Sequence, residues 1–412
     1  MKEIFENWIL INRKRILENF SNLLEINTTS PDEALAYPFL KNYFHDINFQ
    51  TEKQFFQEDL KNHPLFTNPP TYKATKDRFN IKVINKSKAE PGSKKVLFNV
   101  HIDVVPETGD FPNAFNPNFK DGYIIARGAC DTKNNIIMIA EAIRFLKENN
   151  IKIQKEVEIV LAIEEEISGN GTLSSILHGV NSDLVIVMEP TSLLVYRGHR
   201  GCITATIEIN GKSVHMGSDE TGINAIECSY YTMNSLKELE LQMLKEANNN
   251  KDFSIWKKPL QINFGKIFGG DWPGSVAERC TLVSNIGFLP DYSLDEMKNI
   301  ITNTCLGTKD DWTNKNTMVK FDGLQNDAYI IDSTDDNIKA ILDSLNKNGV
   351  DQKESYGWRV SCDAYLYHKL LKVPTIIFGS GDLSNAHSAH EKVALREIEK
   401  GILIMADYLS RP

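Results

Sequence analysis

Five short polar clusters stand at or just after apolar runs: His101-Ile102-Asp103, Arg127 to Lys133 (RGACDTK), Glu164-Glu165-Glu166, Glu189-Pro190-Thr191, and Asn385 to Glu391 (NAHSAHE). In an extended chain, side chains i and i+2 share a face. His101 and Asp103 can therefore face one pocket, the aspartate steadying the imidazole as carboxylates commonly do for metal-bound histidines. Taken singly, each cluster has an ordinary reading. A triple glutamate suits a helix N-terminus, Asp131 suits an N-cap, and two histidines three apart suit a surface. Taken together, His, Asp, Glu, Glu and His near the ends of successive strands make a nitrogen and oxygen donor set. Such a set suits zinc, cobalt or manganese. The six cysteines, at 130, 202, 228, 280, 305 and 362, form no CxxC pair and stand outside the pattern, so it is not a thiolate site.

The elements that must position these groups are legible in outline. Ile4, Phe5, Trp8, Ile9, Ile16, Phe20, Leu23 and Leu24 recur at helical spacing over 3–26. Ser30-Pro31-Asp32-Glu33 opens a second helix. Strands are expected at 79–84, at VLFNV (96–100), at 157–163 and at 183–190, with a helix at 134–147. Strands alternating with helices predict a layered α/β domain, and ligands of such sheets gather beyond the carboxyl ends of the strands. The texture changes near Val195. Alternating stretches at ITATIEING, QINFGKIF, TLVSNIGF and MVKFDG, with helical patterns at 223–247 and 291–305, predict an inserted α+β domain. The α/β texture returns with a helix at 335–347, the buried strand VPTIIFG (373–379) and a closing helix at 392–409.

The 412 residues are 41% hydrophobic and 25% charged, with a net charge of −9. That is ample chain for a large core, and the acidic balance argues against nucleic acid or an anionic membrane as partner. The cysteine usage fits reduced thiols. No segment approaches the roughly 20 apolar residues of a membrane span, and the N-terminus lacks the pattern of a secretory signal. The expected location is cytoplasmic.

With VHIDVVP, ARGACDTK, AIEEEISGNGT, VMEPT and AHSAHEKV in this order, the chain resembles the M20 metallopeptidase family, near its acetylornithine deacetylase and succinyl-diaminopimelate desuccinylase group. GHRGCITATIEINGKSVHMG and GGDWPGSVAERC are similar to segments of that family's lid. The resemblance spans about residues 75–400. It implies a discontinuous catalytic domain (1–195 and 326–412), a layered mixed sheet flanked by helices, and an inserted lid or dimerisation domain (196–325). It implies two divalent metal ions, zinc by default, with cobalt or manganese fitting the same ligands. His101 and Glu189 would hold one ion, Glu166 and His387 the other, and Asp131 would bridge. His387 is chosen over His390 because it stands four residues before a glutamate, Glu391. Asp103 would orient His101, and Glu165 would be the general base. His215 would reach the substrate carbonyl of a partner subunit, which implies a homodimer, and Asn224 would serve lid structure.

The resemblance implies a hydrolase that cleaves N-acyl amino acids, or else a dipeptidase or carboxypeptidase with the same chemistry, or a binding protein that has lost catalysis. The chain also departs from the family pattern. Where the family's lid commonly reads Asp-Ile-Arg, with the arginine on a substrate carboxylate, this chain reads Asn285-Ile286-Gly287. Arg200, Arg279 and Arg359 are the candidates to replace it. Asn134-Asn135 stand where glycines are usual, and Cys130 beside Asp131 reads as a packing residue.

Overall fold

A computed structural model describes residues 1–68, 78–85, 90–218 and 220–412. The chain forms two compact units. The first comprises Met1–Arg197, Ile331–Tyr356 and Leu366–Pro412; the second comprises Gly198–Ile330 and Gly357–Tyr365.

The first unit is built on a mixed sheet in which six successive neighbours are Phe49–Phe55, Phe79–Asn85, Glu156–Ala162, Lys95–His101, Leu184–Val187 and Thr375–Ile377. The last four run parallel, and the first two are antiparallel to their neighbours. The parallel strands read as continuous apolar runs because helices cover the sheet. Phe98, Val100, Ile159, Leu161, Ile186 and Ile376 are all within 1% of complete burial. They share one core with the helices Lys2–Glu25, Lys133–Glu148 and Leu395–Leu409.

Register decides where the polar clusters fall. His101 pairs with Ala162, and the Ile102 amide donates to the Ala162 carbonyl (2.9 Å). Asn99 pairs with Val187, and the Met188 amide donates to the Asn99 carbonyl (2.8 Å). The carboxyl ends of three adjacent parallel strands are thus level, and His101, Glu164 to Glu166 and Glu189 emerge along one edge.

Two smaller devices serve that edge. The strands Asn118–Lys120, Tyr123–Ile125 and Lys392–Ala394 form a three-stranded sheet in which Lys392 pairs with Ile125. This brings the flanking Glu391 and Arg127 together. The long N-terminal helix ends beside Lys133, whose buried ammonium donates to the carbonyls of Leu23 (3.2 Å) and Ile26 (2.7 Å). A cation there complements the helix C-terminus, and burial pushes its pKa down to about 7.

In the second unit an antiparallel sheet runs in the order Ile262–Gly269, Arg279–Phe288, Gly201–Asn210 and Thr317–Lys320. Residues 201–210 alternate toward their end as a half-covered strand should: Ile203, Ala205, Ile207 and Ile209 are buried, while Thr204, Thr206 and Glu208 are more open. The helices Ala225–Ala247 and Leu294–Leu306 share the resulting core. No helix among the described residues is long and apolar enough to cross a membrane.

Candidate metal centre

Three ligand atoms, one each from His101, Asp131 and Glu166, lie within 4.8 Å of one another. Asp131 is the centre of the arrangement. Its Oδ1 is 3.0 Å from His101 Nε2, and its Oδ2 is 3.5 Å from His387 Nε2. His387 Nε2 is also 2.9 Å from the Glu166 carboxylate. A single buried carboxylate therefore offers one oxygen to each of two histidines that come from distant parts of the chain. Glu189 is 5% exposed and stands outside the tightest set, at the end of the strand Leu184–Val187. His390 is exposed, and its amide donates to Ser388 Oγ at 3.2 Å.

The loop that carries the three glutamates is held from several sides. The Asp103 carboxylate accepts the amides of Glu165 (3.1 Å) and Glu166 (2.9 Å). Toward His101 it is the Asp103 carbonyl that comes nearest Nδ1, at 2.9 Å, with the carboxylate at 3.7 Å. Asp103 thus touches both the histidine and the loop, through different oxygens. Glu164 turns inward, with a left-handed φ of 64°, and its carboxylate meets buried Arg78 at 2.7 Å. Arg78 is forked onto Glu33 as well, at 2.7 and 2.9 Å. Ser168 and Asn170 donate to the same Glu164 carboxylate. Glu164 is committed to structure, and Glu166 is the glutamate of the three that joins the ligand set.

A second buried carboxylate fixes Asp131. Glu391 Oε1 accepts the amides of Cys130 and Asp131, both at 3.1 Å, and Oε2 accepts from Arg127 Nη1 at 2.6 Å. In the sequence Glu391 serves only as a spacing mark for His387. Arg78 carries no sequence signal, and Glu33 and Arg127 stand in stretches that read only as a helix opening and a polar cluster, because their partners lie far along the chain. The Asp131–Thr132 peptide is cis.

The charges are strongly coupled. Burial penalises an ionised Asp131, yet hydrogen bonds from His101 and His387 hold its carboxyl well below the usual range. Burial likewise opposes a charged His101, but its bond to Asp131 and the charges of Glu165, Asp131 and Asp103 push its pKa well up. His387, bonded to Asp131 and Glu166, rises to about 10. Burial lifts Asp103 to about 7, and Glu33 and Glu166 add to the rise against the pull of His101. Burial and the Asp131 charge lift Glu391 to about 7 against the pull of Arg127. This edge gathers more carboxylates than it can hold ionised without positive charge among them. Carboxylate oxygens and imidazole nitrogens at these separations fit hard or borderline divalent cations.

Residues 97–411 match Peptidase family M20/M25/M40. The chain belongs to this family. It is 27% identical to the N-formyl-4-amino-5-aminomethyl-2-methylpyrimidine deformylase of Bacillus subtilis (strain 168), over 76% of this chain and 78% of that one. It is also 27% identical to the acetylornithine deacetylase of Proteus mirabilis (strain HI4320), over 95% and 93%. A solved dipeptidase of Saccharomyces cerevisiae matches with a TM-score of 0.75 at 15% identity, over 99% of this chain and 98% of that one. A solved Bacillus subtilis protein, described as a dinuclear metal binding peptidase of the M20 family, matches with a TM-score of 0.64 at 12% identity, over 100% and 98%. The M20 chain described here is a hydrolase of amide or peptide bonds.

Two expected site residues are not among the three whose ligand atoms come together. Glu165 is on the loop, its amide on Asp103, its side chain partly buried. His215 belongs to the second unit and is exposed, with Nδ1 accepting from the Gly217 amide (3.1 Å).

Proposed function

We propose that this M20 hydrolase removes the acyl group from N-acyl amino acids, with Glu165 as general base. The observation that carries the reading is the bifacial Asp131, one oxygen toward His101 and the other toward His387. His101 and Glu189 would hold one divalent ion, Glu166 and His387 a second, with Asp131 between them. Cations so held lower the pKa of water and polarise an amide carbonyl. Glu165 accepts the proton of the attacking water and delivers it to the leaving amine, so that water and amide become acid and amine. Asp103 and the Glu33–Arg78–Glu164 cluster hold the loop so that Glu165 stays in reach. His215 of a second chain would donate to the oxygen on which negative charge develops. The similarity to an acetylornithine deacetylase, over 95% of this chain and 93% of that one, supports an acyl amino acid over a peptide.

The expected homodimer is supported by the second unit. Its edge strand Ile262–Gly269 is paired on one side only among the described residues. Ile267, Phe268, Trp272 and Tyr230 are 54–71% exposed, an apolar surface of the kind that marks association. Sedimentation should report a dimer that Phe268→Lys with Trp272→Glu converts to monomer; a wild-type monomer at micromolar concentration contradicts it.

A substrate panel tests the function. Acetyl-, formyl- and succinyl-amino acids and dipeptides are offered to purified protein with zinc, cobalt or manganese. Release of free amino acid from the acylated members, faster than from dipeptides, is expected. Preference for dipeptides would assign the chain to the peptidases instead.

A further inference from the structure

Beneath Asp131 four polar side chains, Thr132, Asn134, Asn135 and Ser380, are fully buried. Polar groups sealed from water must bond to one another or cost stability, and these bond in an unbroken order. The Asn134 amide donates to the Ser380 carbonyl (2.7 Å) and to Ser380 Oγ (3.0 Å). Ser380 Oγ donates to Asn135 Oδ1 (3.1 Å), which also accepts the Ser380 backbone amide (2.8 Å). At its other end the Asn135 amide donates to Thr132 Oγ1 (2.6 Å), and that hydroxyl donates to the Met188 carbonyl (3.2 Å). Asn134 and Asn135 are a departure from the family pattern of glycines, so these bonds belong to this chain's own sequence.

The bonds join three segments. Thr132 follows Asp131, Met188 precedes Glu189, and Ser380 follows the strand Thr375–Ile377. The last two segments are fastened to each other through their backbones. The Phe378 amide donates to the Val187 carbonyl (3.0 Å), the Ser192 amide to Gly381 (2.8 Å) and the Leu193 amide to Gly379 (2.8 Å). The Asp131 turn is tied to both of them through the Asn135 side chain. Gly379 makes room for that side chain: a Cβ there would sit 2.6 Å from Asn135 Nδ2 and 2.5 Å from the Glu189 carbonyl oxygen. Asn134 plays the lesser part, since its Oδ1 is buried and accepts nothing among the described residues.

We propose that Asn135 is a positioning residue for the metal centre: through Thr132 it sets Asp131 against Glu189, and so shapes the pocket these two would share with His101. This rests on the two-ion reading above. A metal pocket needs its ligands at fixed separations, and groups that orient ligands without touching the ion matter for affinity. Truncation of Asn135 leaves Thr132 Oγ1 without its donor and the Ser380 amide and hydroxyl without their acceptor, so the Asp131 turn is freed from the Glu189 segment. The Glu166 side is held separately, by the Asp103 carboxylate on the Glu166 amide. Loss of Asn135 therefore acts on one pocket and spares the other.

The test is a cobalt titration of the metal-free full-length chain, read by equilibrium dialysis and by the visible absorption of bound cobalt. The wild type should take two ions. Asn135→Ala should weaken one of them about 10- to 100-fold and keep the other. Thr132→Val cuts only the bonds through the hydroxyl, and should weaken the same ion with the same change of absorption. The double variant should lie within about threefold of the worse single one, because both cut one chain of bonds. Ile139→Val, in the apolar core on the same helix, costs modest stability and should keep both ions. Circular dichroism checks that each variant is folded; should Asn135→Ala fail to fold, Thr132→Val carries the test. A Thr132→Val protein that keeps both affinities overturns the proposal, as does equal weakening of both ions or the same loss in Ile139→Val. A wild type that takes fewer than two ions overturns the two-ion reading, and the proposal with it.

Discussion

At the scale of single residues the centre depends on groups that never touch a substrate. Glu391 fixes the backbone of Asp131 while Arg127 compensates its charge. Glu391→Gln keeps the shape and loses the charge, and should lower metal affinity roughly 10- to 100-fold, as loss of a supporting partner commonly does. Glu391→Ala also strands a buried guanidinium and two amides, and should cost about 3–5 kcal/mol. Equilibrium dialysis and denaturant titration read the two effects; a Gln variant with wild-type metal affinity would contradict the supporting role. The donor residues themselves were legible because each stands at the end of an apolar run. Their supports were not. Glu391 and Arg127 are 264 positions apart, and only the pairing of Lys392 with Ile125 brings them together. The expected contact of Asp103 with His101 is made at short range by its carbonyl, while its carboxylate serves the loop. Side-chain alternation along a strand predicts a shared face but not which oxygen is used.

At the scale of elements, the loop from Glu164 to Gly169 is the part whose placement matters most. It leaves the strand Glu156–Ala162 and enters the helix Asn170–Leu177. The amides of Ser168 and Gly169 both donate to the Glu164 carbonyl, closing the loop on itself. Gly171 lets the helix approach the strand end, since a Cβ there would sit 2.0 Å from the Ile163 carbonyl oxygen. Gly171→Ala must push helix and strand apart, with a cost of about 1–3 kcal/mol. It should also displace Glu165 and Glu166, so that turnover falls by more than stability alone explains. Activity assayed well below the melting temperature, beside a thermal melt, checks this; a variant with unchanged activity removes the loop from the account. The strong strands and long helices follow from apolar periodicity. The edge strand Phe49–Phe55 does not, because FQTEKQF buries only its first residue fully. The closing helix begins at Leu395, later than periodicity suggests, because Lys392–Ala394 are taken up by the small sheet.

At the scale of the whole molecule, two units divide the work of an M20 hydrolase. One brings histidines and carboxylates to the ends of parallel strands. The other carries His215 and the apolar edge. The return of the segment Gly357–Tyr365 to the second unit is invisible in sequence, since it is short and lies amid α/β texture.

The central claim is that water is activated for amide hydrolysis at the Asp131 centre, with Glu165 moving the proton. The most direct measurement is turnover of an N-acyl amino acid by wild type and Glu165→Gln, each with its bound metal counted by mass spectrometry of the native protein. Two divalent ions in both proteins are expected, with turnover in the variant reduced by about 10²–10⁴. Equal turnover in the two proteins, or hydrolysis that survives full removal of metal by a chelator, would contradict the account.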